Sequence, residues 1–533
     1  MDSRKIFQRS LLALGFVFMA FFSAEFLLEW LRLGRPGLDA VSWAGTNNAK
    51  LVDVLSPMAR AYNNVLAMLL ATIGLAIPLT ANMHTPKLID MFLRDRTNQV
   101  MLGLFAFGAG HVLWVDYVIG PKFAPIWAFR LAVVGAVLGW AALIPYFFYV
   151  VRFLDPSNIL GRLKAQIERV VEDAAAGRHE PDAAQDVVHE RLYQVGTLIL
   201  KALDRADRSV ALEGIWAFKR LLDHYGRHKA RMPPAWFVVD RKDFVGLSGE
   251  ALQLLNEERT WFEQKTLMQL FFCYQSALTK ASDVISSISD ATRVIATQEA
   301  ARNDERALAL AVRFFNNFLR EAIKKKDVHA IYDLFYQYRA LGRDACDRPA
   351  LLRQIAHYFR VYAGAAAASG LDFVPQLCAF DLGSLARSAF EGHSAAAPDL
   401  LEELCALKHV GPGGAPLPLV VKAKVKLGAF LVEAGLGAEA ARLRDDLAGL
   451  PAATLAAVEH DLVTLTERAF WEVTDRQVNL EWVPPERRPH VKTFVAQVRA
   501  APGAGGGAGG GGGAGGGAGA GAGGAEPRLS TGA

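Results

Sequence analysis

Cysteines and catalytic signatures are scarce in this chain of 533 residues. The four cysteines lie far apart and form no CxxC pair: Cys273, Cys346, Cys378 and Cys405. Such spacing favours reduced, buried thiols over a disulfide framework or a zinc site built from cysteines. The sequence also lacks a GxSxG nucleophile elbow, an HExxH metal motif and a Walker phosphate loop. We therefore predict a protein that is not an enzyme and that needs no cofactor.

Strong charge of one sign is also absent, since the net charge is only +4. No basic region carries a base-reading motif, so we expect no nucleic-acid partner. His224 and His228 have the four-residue spacing of a helical metal pair. Gly226 between them, and the lack of a Cys or Glu nearby in the sequence, favour a helix end instead. No metal site is predicted.

Long apolar runs dominate the first part of the chain, at about 6–30, 62–82, 100–119 and 126–153. Each is long enough to cross a bilayer, which takes about 20 apolar residues. The first run is too long for a signal peptide, and Glu25 and Glu29 stand where a cleavage site would lie. Residues 1–154 are therefore predicted to form a four-span transmembrane domain whose main partner is the lipid bilayer.

Orientation follows from the basic residues. They cluster before the first run, in the turn at 85–98 and after the fourth run. The positive-inside rule places these three segments on the cytoplasmic side. We therefore expect a multi-pass protein of the bacterial inner membrane with both its N- and C-termini in the cytoplasm.

The rest of the chain has the pattern of an all-α protein. Residues 155–180 are predicted to form a juxtamembrane amphipathic helix and a linker, with an apolar stripe that could lie on the inner leaflet or pair with a second copy. Residues 181–500 alternate helical patterns with breakers, which predicts a cytoplasmic, α-solenoid-like stack of helical hairpins. One of these patterns spans 261–286, and Trp236–Asp240 is the only β-like stretch. The Gly/Ala-rich tail at 501–533 is predicted to be disordered.

A family resemblance appears at residues 85–105, TPKLIDMFLRDRTNQVMLGLF. This stretch resembles the signature of an uncharacterised bacterial family of predicted membrane proteins, domain of unknown function 2254. The resemblance covers roughly residues 64–169. It implies a cluster of N-terminal membrane helices followed by a helical cytoplasmic region, and it implies no activity, cofactor or catalytic residue.

Two groups of residues are candidate sites. The first is an intramembrane polar layer near the outer side: Glu25, His111, Asp116 and Arg130. Ionisable groups at membrane depth are costly and usually face a bundle interior or a water-filled cavity. They could line the mouth of an ion or proton path. Alternatively, Asp116 and Arg130 pair to pin two helices together while Glu25 reaches the interface.

The second candidate is the cytoplasmic turn, with Lys87, Arg94, Asp95 and Arg96 at the headgroup boundary. These residues could bind anionic lipid, dock the cytoplasmic helices or gate the bundle. They could also do no more than set the topology.

The large share of predicted cytoplasmic helix favours a non-enzymatic scaffold or sensor. This part makes up more than half of the chain and carries no catalytic motif. A cytoplasmic protein partner and a homo-oligomer are expected. The alternative is an oligomeric ion channel or transporter, in which Gly135 and Gly139 offer a close-packing face between subunits. A membrane enzyme acting on lipid has the least support.

Overall fold

The computed structural model describes residues 3–38, 41, 48–83, 88–240, 242–244, 246–409, 417–470 and 476–501. Side chains are described for all of these except residues 3–15, 76–83 and 88–90. Over this part of the chain the fold is all-helical, as predicted, and the β-structure is limited to an isolated bridge between Ala469 and Val478. The predicted disordered tail lies outside the described residues from residue 502 onward.

Five helices form the N-terminal part: α1 (Ser3–Arg32), α2 (Ala49–Met83), α3 (Leu88–Arg94), α4 (Arg96–Val118) and α5 (Ile126–Leu154). Among the described residues, α4 and α5 are long and apolar enough to cross a membrane. Only 28% and 22% of their most apolar windows are buried. Large apolar side chains such as Leu138 and Phe148 are exposed. Such surfaces suit lipid and not the core of a soluble protein.

The helix α2 starts earlier than the apolar run predicted at 62–82. It begins at Ala49 and continues unbroken for 35 residues, while α1 has 30. Both exceed the length of about 20 residues that a span requires. The segment before that run is therefore helical and forms the first part of α2. The count of four spans stays a prediction.

Small residues allow the membrane helices to approach closely. Ala128, Ala132 and Ala136 form a buried stripe along α5. On α2, Tyr62 fits its ring against glycines of α4 and α5, because a Cβ at Gly139 would lie 2.9 Å from the Tyr62 Cζ atom. Gly139 is thus used within the chain, and the Gly135–Gly139 pair does not offer its full face to a second subunit.

Aspartate side chains cap the N-termini of several helices and so determine where those helices start. Each accepts a hydrogen bond from a backbone N–H in the first turn, which satisfies one of the donors left free at a helix N-terminus. The capped helices are α4 (Asp95), α6, which spans Pro156–Ala175 (Asp155), and α8, which spans Arg208–Lys229 (Asp207). Two further examples, Asp304 and Asp327, precede α12 (Glu305–Lys325) and α13 (Val328–Asp344).

The remaining helices up to residue 396 are α7 (Pro181–Asp204), α9 (Gly249–Glu258), α10 (Trp261–Lys280), α11 (Ser282–Ala301), α14 (Pro349–Ala368) and α15 (Phe373–Glu391). They pack in two rows. One row runs α8, α11, α13, α15, the other runs α7, α10, α12, α14, and helices adjacent in the chain connect the rows. Helices that are adjacent in the chain thus pack as pairs between the two rows.

Two local predictions were wrong. The pattern at 261–286 is two helices, because Ala281 has extended backbone (φ −155°) and separates α10 from α11. The β-like stretch Trp236–Asp240 forms no strand, because Trp236 and Phe237 end a 3-10 turn, Pro234–Phe237, in which Trp236 is fully buried.

A second compact unit begins at Ala397. Its described helices are α16 (Ala397–Ala406), α17 (Pro418–Glu433), α18 (Gly437–Asp446), α19 (Ala452–Thr464) and α20 (Arg488–Ala500). The fully buried Lys424 links α17 to α18 and to the end of α16, since its ammonium group bonds to Asp446 Oδ2 at 2.7 Å and to the Leu407 carbonyl at 2.8 Å. A carboxylate and carbonyl oxygens together replace the water that this charge loses.

Candidate functional site

The intramembrane polar layer contains one close pair. His111 Nε2 on α4 lies 2.7 Å from Glu25 Oε2 on α1, and both side chains are largely buried. Phe22 and Phe107 stack on the imidazole, with ring centroids at 5.6 and 6.1 Å. The carboxylate and the imidazole satisfy each other in apolar surroundings, where an unpartnered polar group would be costly.

Glu29, which we did not predict as a site residue, has a role of its own. Its Oε1 accepts a hydrogen bond of 2.9 Å from the backbone N–H of Trp127 at the start of α5. The N-cap residue of α5 is Pro125, which supplies no side-chain cap. A carboxylate from α1 therefore caps α5 and lies at the positive end of its dipole. The sequence could have indicated Glu29 as well as Glu25, because residues four apart lie on one face of a helix.

Asp116 and Arg130 interact with different neighbours. Asp116 Oδ1 accepts a hydrogen bond of 2.6 Å from Ser56 Oγ on α2, while the Arg130 guanidinium lies 5.2 Å from the centre of the Trp127 ring. The structure therefore does not form the Asp116–Arg130 pair that we had considered, and Glu25 binds His111 instead of reaching the interface. The four predicted residues do not meet in one cluster.

The turn before α4, which we predict to be cytoplasmic, is fixed to α5 through Asp95. Its Oδ1 accepts a hydrogen bond from the Asn98 backbone N–H at 3.1 Å and another from the Tyr149 hydroxyl at 2.7 Å. One carboxylate thus caps α4 and holds the end of α5. Arg94 and Arg96 are exposed beside it. The fourth residue predicted for this turn, Lys87, lies outside the described residues.

The membrane helix α5 passes into α6 through a single non-helical residue, Asp155. This residue ends α5 and caps α6, accepting hydrogen bonds from the Ser157 N–H at 3.2 Å and from Asn158 Nδ2 at 2.9 Å. Phe153 before it is buried, with the Arg162 guanidinium 3.8 Å from its ring centre. On its other side Phe153 makes an edge contact with Phe92 of α3. We call these contacts, with the Asp95–Tyr149 hydrogen bond, the α5–α6 junction.

The apolar stripe of α6 is buried inside the helical rows. Ile159, Leu163 and Ile167 have no exposed surface, and α6 packs along α7 and α8. The predicted stripe is confirmed as a helix face. It is not free to lie on the inner leaflet or to pair with a second copy, because α7 and α8 already cover it.

A buried cluster of charges joins the ends of four helices in the rows. We call Lys229, Glu263, Glu299 and Asp304 the acidic hub. Lys229 Nζ on α8 bonds to Glu263 Oε1 of α10 at 2.5 Å and to Asp304 Oδ2 at the start of α12 at 2.6 Å. Sequence reasoning missed this cluster, because its members belong to four helices and are spread from residue 229 to residue 304.

Burial sets the proton affinities in the acidic hub. It raises the pKa of the Glu263 carboxyl, which Lys229 only partly opposes. Burial, helped by the nearby Glu263 carboxylate, raises the pKa of Glu299 to about 7. Burial by itself would lower the pKa of Lys229, but the carboxylates of Glu263 and Asp304 outweigh it and the pKa is raised. Glu299 therefore takes a proton near neutral pH.

His224 and His228 lie on α8, which continues through Gly226 to Lys229. The predicted helix end at Gly226 is therefore wrong. The glycine makes room for the side chain of Arg302, the C-cap residue of α11. A Cβ at Gly226 would lie 2.7 Å from Arg302 Nη1. An acidic neighbour that is distant in the sequence is close in space, because Glu172 of α6 lies beside both histidines.

Comparison with known proteins bears on the first part of the chain. The family model described as Predicted membrane protein (DUF2254) matches residues 3–204. The match covers α1 to α7, and so includes the Glu25–His111 pair and the α5–α6 junction. No curated protein and no solved structure matches the chain. The resemblance seen at residues 85–105 is confirmed: through α7 this protein is similar to a family of predicted membrane proteins of unknown function.

Proposed function

We propose that the protein is a non-enzymatic scaffold or sensor, anchored in a bacterial inner membrane by four spans with both termini in the cytoplasm. The observation that carries the proposal is the α5–α6 junction. One residue, Asp155, separates an apolar helix suited to lipid from a helix whose apolar face is buried in the helical rows. A helical domain so attached can pass a displacement to the membrane helices.

The contacts around Asp155 explain why the junction would transmit movement. Arg162 of α6 covers Phe153 of α5, and Phe153 contacts Phe92 of α3. Tyr149 is held by Asp95, which caps α4. A tilt of α6 would therefore act on α3, α4 and α5 together, because packed side chains move as units and not as a fluid.

Charge supports the predicted orientation. Arg94, Arg96 and Arg152 are exposed near the junction, where the cytoplasmic headgroups would lie. Such residues retain positively charged segments on the cytoplasmic side and attract anionic lipid. Reporters fused after Pro36 and after Pro86 test this directly: the first should report the periplasm and the second the cytoplasm. Reversed signals would overturn the topology.

The helical rows supply the proposed interaction surface. Stacked helical hairpins, which we propose continue as an α-solenoid-like array, commonly present extended faces to other proteins. We therefore also propose that the protein binds a cytoplasmic protein partner and that it self-associates in the membrane.

Rigidity at the junction can be measured with paired spin labels. After replacement of the half-buried Cys346, cysteines at Val151 on α5 and Ser209 on α8 would carry the labels, since both positions are exposed and the other three cysteines are buried. We expect a narrow distance distribution in lipid nanodiscs. Insertion of two glycines after Asp155 should broaden it. A broad distribution in the chain without the insertion would contradict the proposal.

The second candidate is an oligomeric ion channel or transporter. The observation that favours it is the Glu25–His111 pair, two ionisable side chains in contact in the apolar part of the chain. Its aromatic surroundings and its mutual hydrogen bond also suit a structural role, which is why we place this candidate second. A channel would show ion flux that changes when His111 is replaced.

A further inference from the structure

Three side chains from two helices converge next to the acidic hub. His224 and His228 lie one turn apart on α8 and their rings stack, with centroids 4.5 Å apart. Glu172 comes from the last turns of α6, the helix that continues from α5. One ligand atom of each residue lies within 4.8 Å of the others. Two imidazoles and a carboxylate are donors that first-row divalent metals, zinc above all, accept in proteins.

The hydrogen bonds orient the histidines for coordination. His228 Nδ1 lies 2.9 Å from the carbonyl oxygen of His224. A carbonyl can only accept, so this nitrogen carries the proton and the Nε2 atom of His228 has its lone pair free. A ring nitrogen fixed by a backbone carbonyl is the usual outer-shell partner of a metal-ligating histidine.

The distance between His224 and Glu172 also fits coordination. His224 Nε2 is buried without a hydrogen-bond partner, and it lies 3.5 Å from Glu172 Oε1. This is too long for a good hydrogen bond. Two ligands that bind one tetrahedral zinc at about 2.1 Å are themselves about 3.4 Å apart. The separation is thus what two ligands of a shared ion require.

Arg302, whose side chain packs over Gly226 between the two histidines, already has partners of its own. The Arg302 guanidinium, which packs over Gly226, bonds to the carboxylates of Asp223 and Glu299. These hydrogen bonds hold the guanidinium on its own carboxylate partners. Half of the Glu172 side chain is exposed, so that an ion can enter from solvent.

We propose that Glu172, His224 and His228 form a binding site for a divalent transition-metal ion, Zn²⁺ by its donor set, with a fourth position open to water. Bound metal would clip the far end of α6 to α8. Metal binding itself does not depend on the function proposed above. Only its consequence does: the ion would be the signal that a sensor reads through α6 and the junction.

Calorimetric titration of the full-length chain in detergent with ZnCl₂, after removal of metals with a chelator, tests the site. We expect one Zn²⁺ per chain. His228→Gln and Glu172→Gln should each weaken binding by about 100-fold or more, since even outer-shell changes at metal sites cost 10–100-fold. His329→Gln, an exposed histidine on α13, is the matched control and should bind as the unaltered chain does.

Circular dichroism without metal would verify that each variant is folded. Absence of saturable Zn²⁺ uptake by the folded chain would overturn the site, and so would equal affinity in the Glu172 and His228 variants. The spin-label distances from Val151 to Ser209, measured with and without Zn²⁺, separate the two proposals. Binding without any change in those distances would keep the metal site and reject its role as a signal.

Discussion

Replacement of Lys229 by methionine should destabilise the helical rows strongly. Methionine keeps most of the side-chain volume but removes the ammonium group that lies 2.5 Å from Glu263 and 2.6 Å from Asp304. Glu263 is then left buried with no cation beside it. Removing one partner of a buried ion pair costs about 3–5 kcal/mol. Asp304 is partly exposed and can recover some hydration, so we expect a loss of about 3 kcal/mol.

Thermal unfolding of the full chain in detergent measures this loss, followed by tryptophan fluorescence because Trp236 and Trp261 are buried close by. A loss of that size corresponds to a drop in melting temperature of about 5 °C for a unit this large. The double variant Lys229→Met, Glu263→Gln should recover part of the drop in melting temperature, because it no longer contains the unpaired buried carboxylate of Glu263.

Lys280 provides the matched control. It also bonds to an aspartate of another helix, Asp204, but both side chains are about half exposed. Exposed ion pairs contribute about 0–1 kcal/mol, so Lys280→Met should hardly change the melting temperature. Equal effects of the two methionine substitutions would refute the argument from burial.

Three further predictions concern the acidic hub, the membrane core and the junction. Because burial raises the pKa of Glu299 from 4.5 to about 7, its stabilising contribution is present below pH 4.5 and is lost as the pH rises through 7, by on the order of 3 kcal/mol. The melting temperature of Glu299→Gln should lack this part of the pH dependence. A melting temperature that varies with pH as it does in the unaltered chain would contradict the prediction. Gly139→Ala should lower the melting temperature, since its Cβ meets the Tyr62 ring. Adding Tyr62→Ala should relieve the clash in the double variant. No relief would show that this contact is not the cause. Asp155→Ala should cost about 1 kcal/mol and broaden the Val151–Ser209 distances, while a narrow distribution would show that the cap is not needed.

Local sequence signals predicted much of the fold. Apolar runs of sufficient length marked α4 and α5. The pattern at 155–180 predicted the apolar stripe of α6 but not what covers it, because helical periodicity does not depend on which neighbour packs on the face. Glu25 and His111 were found because ionisable residues in apolar runs are rare enough to stand out.

Tertiary contacts account for what the sequence did not reveal. Glu172 lies 52 residues before His224 in the chain, and only the packing of α6 on α8 brings them together. Gly226 resembled a helix end because its true role, admitting Arg302, depends on a helix far along the sequence. Ala281 breaks a helix with neither glycine nor proline, so no local signal marked it.

Ion flux through proteoliposomes tests the central claim, a membrane-anchored scaffold or sensor and not a channel, most directly. The full chain and its His111→Gln variant would be reconstituted in parallel, with insertion and folding verified for both. Our account predicts that neither exceeds the leak of empty liposomes, because Glu25 and His111 satisfy each other among aromatic rings. Flux through the unaltered protein that changes in the His111→Gln variant would contradict it and place the function in the membrane.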